Sequence, residues 1–287
     1  MLKILLVLSL IPLSSLACTE PGTGFLPPHS LRLPPDPKAQ GISREEYDAI
    51  IDKVLRIYAP VARRHGAKLQ IERKWESDTV NAGTFRASNG KKWVVNLYGG
   101  FARHPYVTVD GYALVICHEI GHHIGGAPKK SYPESGPIWA STEGQSDYFA
   151  TLKCLRKVFR RDDNRQIVST MEVPESVRTE CQDSFRREWE VSLCIRTSMA
   201  GLSVARVNAD IRRVPLPELE AVDPNVVEVT SNNHPEPQCR LNTYYQGSIC
   251  PVPSTRSVSQ SGEVRGTCHE ALHFSKGLRP ACWYKPK

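Results

Sequence analysis

His118-Glu119-Ile120-Gly121-His122 sets two imidazoles four positions apart, with a carboxylate beside the first. On a helix this spacing puts both rings on one face, about one turn apart. Two imidazoles so placed can grip one metal ion. The glutamate can then reach a water at that ion and take its proton, so the expected chemistry is hydrolysis. Tyr112 to Ile124 suits such a helix: it is mostly apolar, Asp110 is a candidate cap, and Gly125-Gly126 would stop it.

A catalytic zinc commonly takes three protein ligands and keeps one position open. The extended pattern His-Glu-x-x-His-x-x-Gly-x-x-His finds its glycine at Gly125 but meets Pro128 at the last position, and proline cannot ligate. A glutamate from a following helix is the other solution. Ser141 to Ala150 reads as helical, with Glu143 and Asp147 on one face. Glu143 is the candidate third ligand. Asp147 is the candidate acceptor that fixes the tautomer of His118 or His122.

Four pieces in this order resemble the HtpX-like gluzincin metallopeptidases, the family that includes the CAAX prenyl proteases. They are Val80-Asn81-Ala82, the His118–His122 motif, Glu143-Gly-Gln-Ser-Asp147, and His234-Pro235 followed by Arg240. The resemblance spans about residues 80 to 240. It implies an α+β, zincin-like fold with a small mixed sheet, an active-site helix and a helical second half. It implies zinc on His118, His122 and Glu143, with Glu119 as general base. From the late element, His234 is expected to donate to the oxyanion of an attacked carbonyl, and Arg240 to anchor that segment on a carboxylate or on carbonyls. Two features depart from the family: no membrane-spanning run follows the N-terminus, and the C-terminal segment is rich in cysteine.

Residues 1–17 read as a secretory signal, with one lysine, an apolar centre and small residues before Cys18. The expected organisation continues with an extended proline-rich arm over 18–41, a zincin-like domain over 42–235 and a cysteine-rich extension over 236–287. Nine cysteines in an exported chain suggest disulfides, and the odd number leaves at least one out. Cys18 can be the lipidated first residue of a membrane-tethered lipoprotein, but ordinary cleavage is equally readable there. Cys117, beside His118, reads as a small buried hydrophobe rather than a ligand. Cys239, Cys250, Cys268 and Cys282 should form two bridges among themselves. Cys154, Cys181 and Cys194 lie in helical segments they could staple. The expected location is the periplasm or cell envelope.

The formal charge is +7, or +6 without Lys3 (7 − 1). Its basic residues are scattered, as in Arg160-Arg161 and Arg212-Arg213, with no basic stripe interleaved with aromatics. That argues against a nucleic-acid partner and leaves a peptide or protein substrate. The alternative from another class is a non-catalytic, zinc-stabilised envelope-binding or chaperone-like protein. Glu119 argues against it, because a structural site needs no base and fills all four positions with protein ligands.

The elements around the motif are also readable. Ser43 and Glu46 form a capping box, opening a helix to about His65 with a bend near Pro60. Lys68 to Trp75 alternates like a strand. Thr84–Ala87 and Lys92–Tyr98 flank Asn89-Gly90, a hairpin signal. Trp93 to Leu97 is a candidate edge strand for an extended substrate, though a place inside the sheet reads equally well. His104 reads as a loop histidine. Pro174 to Arg213 reads as one long or two shorter helices whose core face carries Trp189, Leu193, Ile195, Met199 and Leu202.

Overall fold

A reciprocal cap opens the first helix. Ser43 Oγ accepts from the Glu46 amide, and the Glu46 carboxylate accepts from the Ser43 amide at 2.8 Å. Helix α1 (Arg44–Arg64) follows, and Pro60 lies inside it without ending it. The computed structural model describes residues 24–134 and 136–286. The expected signal segment and Cys18 lie outside the described residues.

Strands β1 (Lys68–Lys74), β2 (Ala82–Ala87) and β3 (Lys92–Tyr98) form one sheet in the order β1-β3-β2. β3 runs parallel to β1 and antiparallel to β2. The hairpin turns at Asn89 and Gly90, whose φ values of 53° and 84° lie in the left-handed region. Trp93 to Leu97 is therefore the central strand and not the edge. Both sides of its backbone are paired, so the free edge near the motif belongs to β2.

Helix α2 (Gly99–Ala102) leads to α3 (Val109–Ile124), which carries the motif. Its cap is Thr108, whose Oγ1 accepts from the Gly111 amide at 3.0 Å. Asp110 is not the cap: Arg196 holds both its oxygens at 2.7 Å. Gly125 ends the helix, and Gly126 takes φ +89°, which favours glycine, so the chain can turn away. A hairpin of β4 (Lys129–Tyr132) and β5 (Gly136–Ser141) then delivers α4 (Glu143–Phe149). The chain continues through a π-helical turn (Ala150–Leu155) into α5 (Arg156–Val158).

The second half holds α6 (Asn164–Ser169), α7 (Glu175–Ser184), α8 (Glu188–Arg212) and α9 (Pro237–Ile249). Pro174 to Arg213 thus forms two helices. The main core joins Tyr47, Ile51 and Val54 of α1 to Val95 and Leu97 of β3, Leu114 and Ile116 of α3, and Val204 and Val207 of α8. Leu193, Ile195 and Leu202 are buried as expected, and Met199 is partly so. Trp189 is not core: it is 41 % exposed, because residues 186–189 stand at the surface where α8 begins.

Four disulfides tie the fold: Cys117–Cys154, Cys181–Cys194, Cys239–Cys282 and Cys250–Cys268. The four C-terminal cysteines pair among themselves. Cys117 is not a free buried thiol, since it reaches across to the π-helical turn. Such bonds persist in oxidising compartments, which fits an exported protein. Among the described residues no helix is long and apolar enough to cross a membrane.

Candidate metal centre

The motif helix α3 presents His118 and His122 on the face that meets α4. Gly121 makes this approach feasible: a Cβ there would stand 3.1 Å from Ser146 Cα. Thr142 caps α4, which brings Glu143 in at its first position with no exposed surface. Glu143 Oε2 then lies 3.2 Å from His118 Nε2 and 3.7 Å from His122 Nε2. Ligands of a tetrahedral zinc at its usual bond lengths stand about 3.3 Å apart. The three donors lie within 4.8 Å of one another and form a buried His/His/Glu group that can hold a metal ion.

The far sides of these ligands are already engaged. His118 Nδ1 donates to Asp147 Oδ1 at 2.6 Å, and His122 Nδ1 donates to the Ser141 carbonyl at 2.9 Å. Both Nε2 lone pairs are thereby left for the centre. Glu143 Oε1 accepts from Lys130 Nζ at 2.6 Å, which reserves Oε2. His118 Nε2 and Glu143 Oε2 are buried without a hydrogen-bond partner, as are both oxygens of Glu119. His118 Nε2 and Glu143 Oε2 stand 3.2 Å apart and have no other hydrogen-bond partner, so a divalent cation fits the set His118, His122 and Glu143.

Electrostatics agree. Burial would raise Glu143, but Lys130 and the facing histidines hold it well below the ordinary carboxylate range. Burial pushes His122 down to about 3, so its ring is neutral. At His118 burial acts downward, but Asp147 and Glu143 outweigh it and lift the imidazole to about 9. That is the signature of a place built for positive charge, which a metal ion can supply in the proton's stead. Burial, reinforced by Glu143 and opposed by His118, pushes Glu119 up to about 7.

Asp147 is fully buried and saturated. Its Oδ1 accepts from His118, from Arg240 Nη2 at 2.7 Å and from the Tyr244 hydroxyl at 2.8 Å, and its Oδ2 accepts from Arg240 Nε at 2.8 Å. Arg240 also donates to the Phe25 carbonyl at 2.7 Å. The expectation that Arg240 anchors on a carboxylate and on carbonyls is met in geometry. His234 lies 3.6 Å from Glu143 Oε2, so the chain brings it beside the ligand set. Its Nε2 donates to the Gly24 carbonyl at 2.6 Å.

Other histidines are structural. His123 stacks between Trp93 and Trp139 at 4.7 and 4.8 Å and bonds Thr84 Oγ1 at 2.7 Å, which fixes the end of α3. His104 pairs with Asp210 at 3.1 Å, away from the centre. Sequence reasoning missed Lys130, Tyr244 and Phe25. Lys130 stands on a four-residue strand with no motif around it, and the other two reach the site only through the fold.

No family model, curated protein or solved structure matches this chain.

Proposed function

We propose that this chain is an exported zinc-dependent endopeptidase, with a zincin-like fold of the HtpX-like gluzincin kind, acting on envelope or secreted proteins. The reading is carried by Glu119: a fully buried carboxylate with neither oxygen hydrogen-bonded, next in sequence to a metal-type histidine. A site that only bound metal for stability would have no use for it.

His118, His122 and Glu143 would hold the zinc, which polarises the substrate carbonyl and makes a water acidic near neutral pH. Glu119 takes the attacking water's proton at a carboxylate oxygen and passes it to the departing amine. Its burial, which raises the carboxyl above its ordinary range, favours taking that proton up. His234 Nε2–H donates to the carbonyl oxygen as negative charge gathers there. Asp147 and the Ser141 carbonyl hold the two imidazoles in their tautomers, and Lys130 keeps Glu143 oriented. Burial of these groups keeps bulk water out, which strengthens each interaction.

The test joins metal analysis of the purified mature protein to a peptide-library cleavage assay, with and without chelator. About one zinc per chain and chelator-sensitive cleavage are expected. Glu119→Gln should keep its zinc and lose about 10²–10⁴-fold in turnover. Full activity of that variant would sink the mechanism. Bound zinc with no cleavage of any peptide would favour the binding-protein alternative.

A further inference from the structure

Residues 24–33 pack against the domain, with Phe25 and Leu26 buried. They run antiparallel beside residues 78–82, the segment that enters β2. The Phe25 amide donates to the Ala82 carbonyl at 2.9 Å, and the Leu26 amide to Asn81 Oδ1 at 3.0 Å. Arg32 bridges Thr79, and the Leu33 amide donates to the Asp78 carbonyl at 2.8 Å. Only Arg32 of this segment forms a β-bridge, and residues 24–26 bend where they meet the start of β2; backbone bonds of this kind supply affinity while side-chain pockets supply selectivity.

The near end of this segment sits on the candidate metal centre. The Phe25 ring meets His118 edge-on at 4.8 Å and Phe101 at 5.8 Å, with the Arg240 guanidinium 4.1 Å from its centroid. Phe25 and Leu26 have no exposed surface. Gly24 lies tight against the edge, where a Cβ would come within 2.5 Å of the Ala82 carbonyl oxygen. The Gly24 carbonyl is taken by His234, the imidazole that also faces Glu143. A peptide carbonyl thus already occupies the donor that a substrate carbonyl would need.

The geometry points to residues 24–26 as an internal peptide ligand of the proposed peptidase site. That site accepts a short bent segment of small, aromatic and aliphatic residues in that order, and the protein stays closed until its own strap is displaced. The inference rests on the peptidase reading for its activity arm alone. Tethering gives the strap a high effective concentration, so an outside peptide competes only after the strap lifts.

The test uses the full zinc-loaded chain and the variant Gly24→Val, whose Cβ has no room against the Ala82 carbonyl and the Asn81 side chain. Three readouts apply: hydrogen exchange at the Phe25 and Leu26 amides, binding in trans of an acetylated peptide copying residues 24–33, and cleavage of a fluorogenic peptide library. In Gly24→Val the two amides should lose protection, the peptide should bind where it does not bind the wild type, and cleavage should rise about tenfold or more, reversed by that peptide. Exposed amides with no binding in trans and no faster cleavage overturn the proposal. Binding in trans without cleavage by either protein upholds the internal-ligand assignment and removes the peptidase reading instead. Phe25→Ala is the second variant, and loss of fold in both makes the strap plain core and overturns the proposal.

Discussion

Arg240 forks onto Asp147 across 93 residues of sequence, with Nε and Nη2 at 2.8 and 2.7 Å from the two carboxylate oxygens. Neither group sees solvent, and the same carboxylate steers His118. A helix from the C-terminal region therefore sets the orientation of His118, a candidate ligand on the motif helix.

Removing the carboxylate strands a buried guanidinium. Asp147→Ala should cost about 3–5 kcal/mol in a denaturant melt. Asp147→Asn keeps the shape and should weaken metal binding about 10–100-fold in a chelator competition. The sign with pH follows from the folded state. Burial raises the Asp147 carboxyl, but Arg240 and His118 outweigh it and hold it below its ordinary value. Its stabilisation is fully present above the unfolded value of about 3.9 and fades as pH falls through the lower folded value. The Asn variant should lack that acid-side loss, and an unchanged acid limb would refute the assignment.

Glu143 divides its oxygens between Lys130 and the centre. Glu143→Ala should abolish stoichiometric metal, read by elemental analysis. Lys130→Met should retain the fold yet weaken metal binding about 10–100-fold, since it frees Oε1 to turn. Equal retention by wild type and Glu143→Ala would remove Glu143 from the ligand set.

His234 has a different expected profile. His234→Ala should leave zinc content intact and lower kcat about 10²-fold on a cleaved peptide. The variant also releases the Gly24 carbonyl, so peptide binding should improve while turnover falls. A kcat equal to that of the wild type ends its role as a donor.

Lys153 offers a test away from the metal. Its ammonium is buried, donates to the Pro253 carbonyl at 2.8 Å, and is pushed down to about 7 by burial and then by Arg156, Lys157 and Arg256. Between about 7 and the unfolded value near 10.4 the unfolded chain binds the extra proton, so stability should climb with pH over that window. Lys153→Met should flatten the climb. It should also stabilise the protein at pH 7 by about 1–3 kcal/mol, since relief of the buried charge exceeds the lost hydrogen bond. A melt showing the same slope in both proteins would refute this.

What the sequence disclosed was what helical repeat encodes. His118 and His122, and Glu143 and Asp147, are each one turn apart, so their co-facial placement follows from local geometry. The capping box at Ser43 and the Asn89-Gly90 hairpin were legible for the same reason. The position of β3 was not: a hairpin fixes β2 beside β3, but says nothing about which side receives β1. Asp110 misled because Thr108, two residues earlier, is also a capping type, and Arg196, 86 residues on, claims the aspartate. Lys130, Tyr244 and Phe25 join the site through contacts that no periodicity announces.

The bond between Cys117 and Cys154 closes a ring in the chain, and His118, Glu119, His122, Lys130, Glu143 and Asp147 all lie inside it. Thiols stay reduced in the cytosol where a chain is made, so there the ring stands open and its donors are held by noncovalent contacts alone. Oxidation then shortens the excursions available to every donor at once. On the exported, metal-dependent reading proposed above, full grip on a metal would follow the closing of this ring.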